Sequence, residues 1–156
     1  MPEDDKWEQY PSTVLEFYDD ARTRLDLRRR VGAAERAALE RLGLDRPFAV
    51  FTAENPCGEN VEDEPAPAAA AAQEARNERR TSRLEADLTS RGVPFVEVDG
   101  VSPDGQYRER CVAAAMPREE AAALASRFEQ LALFWFDGSD FWLLPAEADR
   151  SPRRLP

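Results

Sequence analysis

The stretch PFAVFTA, residues 47–53, is apolar at almost every step, with Thr52 as its one polar side chain. A strand with one wet face alternates apolar and polar residues, whereas one that is apolar throughout must be covered on both sides. Residues 47–53 therefore predict a strand interior to a sheet. Downstream, the acids Glu54, Glu59, Glu62, Asp63 and Glu64 and the run PAPAAAAA carry no period. They predict a loop insert over 54–72 that grades into helix near Ala70. The helix continues to Ser90, with Leu84 and Leu88 one turn apart and Gly92 as its stop.

Working outward, RTRLDLR alternates Leu25 and Leu27 with charged residues and reads as a strand, and AAERAALERLG at 33–43 restores a helical period closed by Gly43. Thr13 followed by Glu16 has capping-box spacing, which predicts a short helix over 13–20. PFVEVDG and QYRERCVAAAM read as strands joined through SPDG. REEAAALASRFEQL is helical in spacing, and ALFWF-DGSD-FWLLP is a hairpin. The expected fold is α+β with an α/β-like flavour: one compact domain over 13–146, a mixed sheet of about five to six strands flanked by helices, and a C-terminal β-hairpin. Residues 1–12 are expected to form a flexible arm and 147–156 a disordered tail.

Composition narrows the chemistry. The 156 residues carry a formal charge of −10, which opposes nonspecific attraction to phosphate and argues against a nucleic-acid partner. No apolar run reaches the roughly 18 residues of a membrane span, and the start MPEDDKWEQY lacks the regions of a signal peptide, so a cytoplasmic location is expected. There is no histidine, which removes Ser-His-Asp and Cys-His catalysis and His-containing metal sites. Cys57 and Cys111 are too few and too far apart for a zinc cage, and each reads as an ordinary thiol. The acidic run 59–64 lacks calcium-loop spacing. No metal or cofactor is expected.

Polar residues standing where an apolar one is required are the remaining signal. Stepping back from Leu88 and Leu84 by helical turns reaches Arg80 and Asn77, which extend the inward stripe, whereas Arg79 and Arg83 fall off it. On the strand at 107–115, Tyr107, Glu109, Cys111 and Ala113 share one face. A covered Glu109 needs a partner, and Arg80 could meet it with two parallel hydrogen bonds. Asn55-Pro56 turns the chain at the end of the interior strand, either as a plain turn or as part of a strand-end ligand site with Thr52.

The set FTAENP, NERR, a strand glutamate and FEQLAL resembles the bacterial domain-of-unknown-function family DUF3293. The resemblance runs from Tyr18 to the final hairpin and implies a role for Thr52, Ala53, Asn55, Pro56, Asn77, Arg80, Glu109, Phe128 and Gln130. Glu129 stands where the family pattern has Gly, and Cys111 where it has Ser. The resemblance supplies positions and no reaction. Three readings follow. The first is a small-ligand-binding or regulatory domain with Thr52, Asn55, Asn77, Arg80, Glu109 and Gln130 lining a polar pocket, suited to a small polar or phosphorylated ligand held by Arg80. The second is a hydrolase or transferase with Glu109 as general base and Arg80 as electrostatic stabiliser. The third is a protein-interaction module using the aromatic hairpin, for a partner the sequence does not name.

Overall fold

The computed structural model describes residues 3–55 and 66–156. Among them, helix α1 (Glu3–Gln9) runs into a 3-10 turn (Tyr10–Ser12), followed by strands β1 (Val14–Phe17) and β2 (Arg24–Asp26) and helix α2 (Ala33–Arg41). Then come β3 (Phe48–Thr52), α3 (Pro67–Ser90), β4 (Phe95–Val101), β5 (Arg108–Ala114), α4 (Arg118–Arg127), β6 (Ala132–Phe136), β7 (Phe141–Pro145) and β8 (Arg153–Arg154). The strands form one sheet in the order β2-β1-β4-β5-β3-β6-β7-β8. No helix is long and apolar enough to cross a membrane, among the described residues.

Every ladder in this sheet is antiparallel, which corrects the mixed sheet of five to six strands to an antiparallel one of eight. The two-faced apolarity of residues 47–53 does mark a strand interior to the sheet, with antiparallel neighbours on both sides. β3 is flanked by β5 and β6 and buried at all five positions, because helices cover both faces of an antiparallel sheet. On one face Val50, Cys111, Phe134 and Leu143 pack with Trp7 of α1 and Leu39 of α2. On the other, Phe51, Val112 and Leu144 pack under Leu84 and Leu88 of α3 and Leu124 of α4.

The helix expected over 13–20 is β1. Its residues pair with β2 on one side and β4 on the other, and Thr13 donates its hydroxyl back to the Tyr10 carbonyl at 2.7 Å instead of capping a helix. Two ladders and the burial of Leu15 and Phe17 outweigh a four-residue spacing cue. α3 begins at Pro67, earlier than Ala70, with proline where no N–H is needed. α4 stops at Arg127, several residues short of the expected 131.

The arm and the tail both take part in the fold. Trp7 is buried, and the Arg150 guanidinium lies over its ring at 5.3 Å. β8 pairs with β7, and Leu155 places its side chain in the core while its N–H donates to the Phe141 carbonyl at 2.8 Å. Periodicity could not show this, since the structured part of the tail is only a few residues long. Leu155→Ala is expected to lower the unfolding free energy by about 2–3 kcal/mol, measured by denaturant titration. A loose tail would leave the midpoint unmoved.

Candidate functional site

The site is built where β3 gives out. The Thr52 hydroxyl donates to the Arg110 carbonyl at 2.7 Å and accepts from the Glu54 N–H at 3.0 Å. The Glu54 carboxylate accepts from the Arg110 N–H at 3.3 Å. Side-chain oxygens thus continue the β3–β5 ladder past the last strand residue, so that the N–H and the carbonyl of Arg110 are both satisfied.

Asn55 is the hub. Its φ of 48° lies in the left-handed region that asparagine tolerates better than most residues. That conformation turns its buried side chain toward β5 and its N–H toward α3. The N–H donates to Asn77 Oδ1 at 3.0 Å, and its own Oδ1 accepts from Gln73 Nε2 at 2.8 Å and Asn77 Nδ2 at 3.2 Å. Its Nδ2 donates to Glu109 Oε1 at 2.9 Å and to the Tyr107 hydroxyl at 3.1 Å. Tyr107 in turn donates to Glu109 Oε1 at 2.8 Å. Asn77 and Glu109 are therefore linked through Asn55.

Arg80 does not meet Glu109. Its Nε donates to the Ala53 carbonyl at 2.6 Å, its Nη2 to the Phe128 carbonyl at 2.5 Å, and its Nη1 lies 3.7 Å from Glu129. Gln130 works beside it, donating from Nε2 to the carbonyls of Glu54 at 2.9 Å and Phe128 at 3.2 Å. Together they tie the end of β3 to the turn after α4. The carbonyls left over where a strand and a helix stop are strong acceptors, and a forked cation satisfies two of them at once. Arg79 and Arg83 are exposed, as the helical count requires. Glu129 has a φ of 59°, in the left-handed region that favours glycine, the residue the resemblance led one to expect at this position.

A cavity of about 560 Å³ lies beside this cluster, between the N-terminal segment and the sheet. Thr52, Glu109 and Gln130 line it, together with Lys6, Tyr10 and Tyr107. Asn55, Asn77 and Arg80 do not; they stand behind the wall and hold it. The six expected site residues thus divide into three that face the cavity and three that support them. Pro56, Cys57 and the acidic run 59–64 lie outside the described residues.

Electrostatics follow burial. Burial raises the pKa values of the Tyr10 and Tyr107 hydroxyls, with the Glu109 charge adding to it in both. The Cys111 thiol is pushed well up for the same two reasons. Glu54 rises from an ordinary 4.5 to about 7, chiefly through burial, against the opposing Arg110 N–H and with a further push from Glu109. Between those values the folded chain holds a proton that the unfolded chain has released, so stability is greatest below the unfolded pKa and falls as pH rises through the folded one. For this partly exposed group the loss between acid and neutral pH is of the order of 2 kcal/mol. Glu54→Gln is expected to flatten that part of the stability profile, read from denaturant midpoints across the pH range.

Three participants escaped the sequence reading. Gln73 lies one helical turn before Asn77 and could have been reached by one more backward step. Tyr10 sits in the segment expected to be flexible, and Glu54 was read only as the first acid of a loop. The aromatic hairpin is not an exposed patch: Trp135 and Trp142 are half-buried against the core, and Trp142 donates to Asp137 at 2.9 Å.

A family model described as "Protein of unknown function (DUF3293)" matches residues 51–133, more than half of the chain, a span that contains all six expected site residues. No curated protein and no solved structure matches it.

Proposed function

Because the chain belongs to the family of proteins of unknown function DUF3293, and its matched span carries both the Asn55 hub and the cavity-facing Thr52, Glu109 and Gln130, we propose that it is a small-ligand-binding domain. The single observation that carries this reading is the cavity of about 560 Å³ beside a fully connected polar network. That volume lies in the range of small-molecule sites, which are mostly apolar with a few fixed polar groups. Connected networks of this kind rigidify the groups they hold, and a preorganised wall loses little on binding. Arg80, spent on two backbone carbonyls, is a strut of the pocket and not its phosphate ligand. The same engagement weakens the hydrolase or transferase reading, which needed Arg80 beside Glu109.

The test is a thermal-shift screen of a chemically broad metabolite library on the wild-type chain and on Ala132→Phe, which fills the cavity from β6. Compounds that raise Tm in the wild type and not in the filled variant support the reading. If no compound shifts Tm, or if both proteins shift alike, the pocket is not a binding site.

A further inference from the structure

We propose that the cavity takes an organic cation with an apolar body, an alkyl- or arylalkylammonium compound, anchored on the carboxylate of Glu109. This rests on the ligand-binding reading above and adds the chemistry of the ligand. The argument begins with which charges the walls can offer. Lys6, Glu8 and Glu109 are the charged residues around the cavity among the described residues. Glu8 is paired with Arg153 at 3.0 Å, and Lys6 is engaged in a contact of its own. Both belong to α1, at one side of the cavity, so Glu109 supplies the charge on the sheet side.

Glu109 is held asymmetrically. Asn55 Nδ2 and the Tyr107 hydroxyl both donate to Oε1, while Oε2 accepts from no described residue. A half-buried carboxylate with one oxygen satisfied twice and the other left open by the described residues can accept a further donor, and an ammonium group answers both its charge and its hydrogen-bonding capacity. Tyr10 lines the same cavity as Glu109, and its hydroxyl offers a second polar contact there. An anionic ligand would instead face the Glu109 charge with Arg80 already committed elsewhere.

The rest of the cavity sets the body of the ligand. Val50, Ala132, Phe134 and Leu143 line it and belong to the hydrophobic core of that face. Ala132 and Phe134 each keep 8% of their surface exposed, as do Thr52, Cys111 and Gln130. A fully hydrated cation would leave this apolar surface against water, whereas an alkyl or aryl group removes it from solvent.

The experiment is calorimetric titration at neutral pH with hexylammonium and 2-phenylethylammonium, the matched alcohols, hexanoate and hexyl phosphate. The wild-type chain is compared with Glu109→Gln, an amide that can keep the Asn55 and Tyr107 contacts through its oxygen. The ammonium probes are expected to bind at least roughly tenfold more tightly than their alcohols. In Glu109→Gln that preference should vanish while alcohol affinity stays within about threefold. Because the ligand series is run on the wild-type chain, the outcome does not depend on the variant folding. Alcohols, hexanoate or hexyl phosphate binding as well as the amines would overturn the cation assignment and leave the pocket standing. So would a library compound excluded by Ala132→Phe when no ammonium probe binds. Absence of binding by every probe and every library compound overturns both.

Discussion

Arg80→Ala will lower the unfolding free energy by about 3–5 kcal/mol, the largest loss expected for any single polar side chain outside the Asn55 hub. The guanidinium donates to two main-chain carbonyls at 2.6 and 2.5 Å, and its side chain is only 20% exposed. Removing it strands both acceptors, each worth roughly 1.5–3 kcal/mol when the lost partner was charged. For a chain of this size the loss corresponds to a fall in Tm of about 8–15 °C. Arg80→Lys should recover less than half of it, because a single ammonium on a flexible stem cannot fork to two carbonyls. The Arg80–Glu129 pair should contribute less than about 1 kcal/mol, read as the coupling energy in a double-mutant cycle with Glu129→Ala, since the two groups are 3.7 Å apart and the carboxylate is exposed. Should Arg80→Ala unfold with the wild-type midpoint, Arg80 is not a strut.

Asn55→Asp is expected to be comparably damaging at neutral pH and much milder in acid. The substitution preserves size and the tolerated left-handed backbone, but it turns the Nδ2 donor to Glu109 and Tyr107 into an acceptor. A new carboxylate would then face Glu109 across a distance now spanned by a 2.9 Å hydrogen bond, with Glu54 close by. Like charges so placed raise each other's pKa in the folded state, so the variant gains stability as pH falls toward the ordinary carboxylate range. The expected penalty is about 3–5 kcal/mol at neutral pH, roughly half of it recovered at mildly acidic pH. Parallel urea titrations of wild type and variant at the two pH values decide the matter. A penalty independent of pH would mean that lost geometry, not charge, is responsible.

The order of elements from β2 through β7 was legible because each carries a strong local pattern: two-faced apolarity in β3, alternation in β4 and β5, a turn sequence between β6 and β7. Direction and number of strands were not, since parallel and antiparallel ladders bury the same side chains. β1 was misread because one capping-box spacing competed with contacts made by residues far along the chain. At the site, Asn77 and Arg80 were found by counting turns, and the exposure of Arg79 and Arg83 agrees with that count. Their partners were not found. Arg80 was matched with the only acid on the inward face of β5, but its acceptors are backbone carbonyls, and these have no letter in the sequence. The cavity itself was invisible, because its far wall comes from a segment without enough period to be assigned.

That far wall has a consequence for how the protein folds. α1 is fastened by Glu8 to Arg153, residues 145 apart in sequence, and by Trp7 under Arg150. Contacts this distant in sequence require closure of a long loop before they reward it, so they form late. β3 to β7 can assemble their ladders first, leaving the face around Glu109 and Phe134 uncovered until residues 150–155 have docked on β7. The last step of folding is then the one that closes the cavity, and the reverse of that step is its cheapest opening. Amide protons of α1 should exchange sooner than those of β3, and a compound that spans α1 and the sheet should slow them selectively.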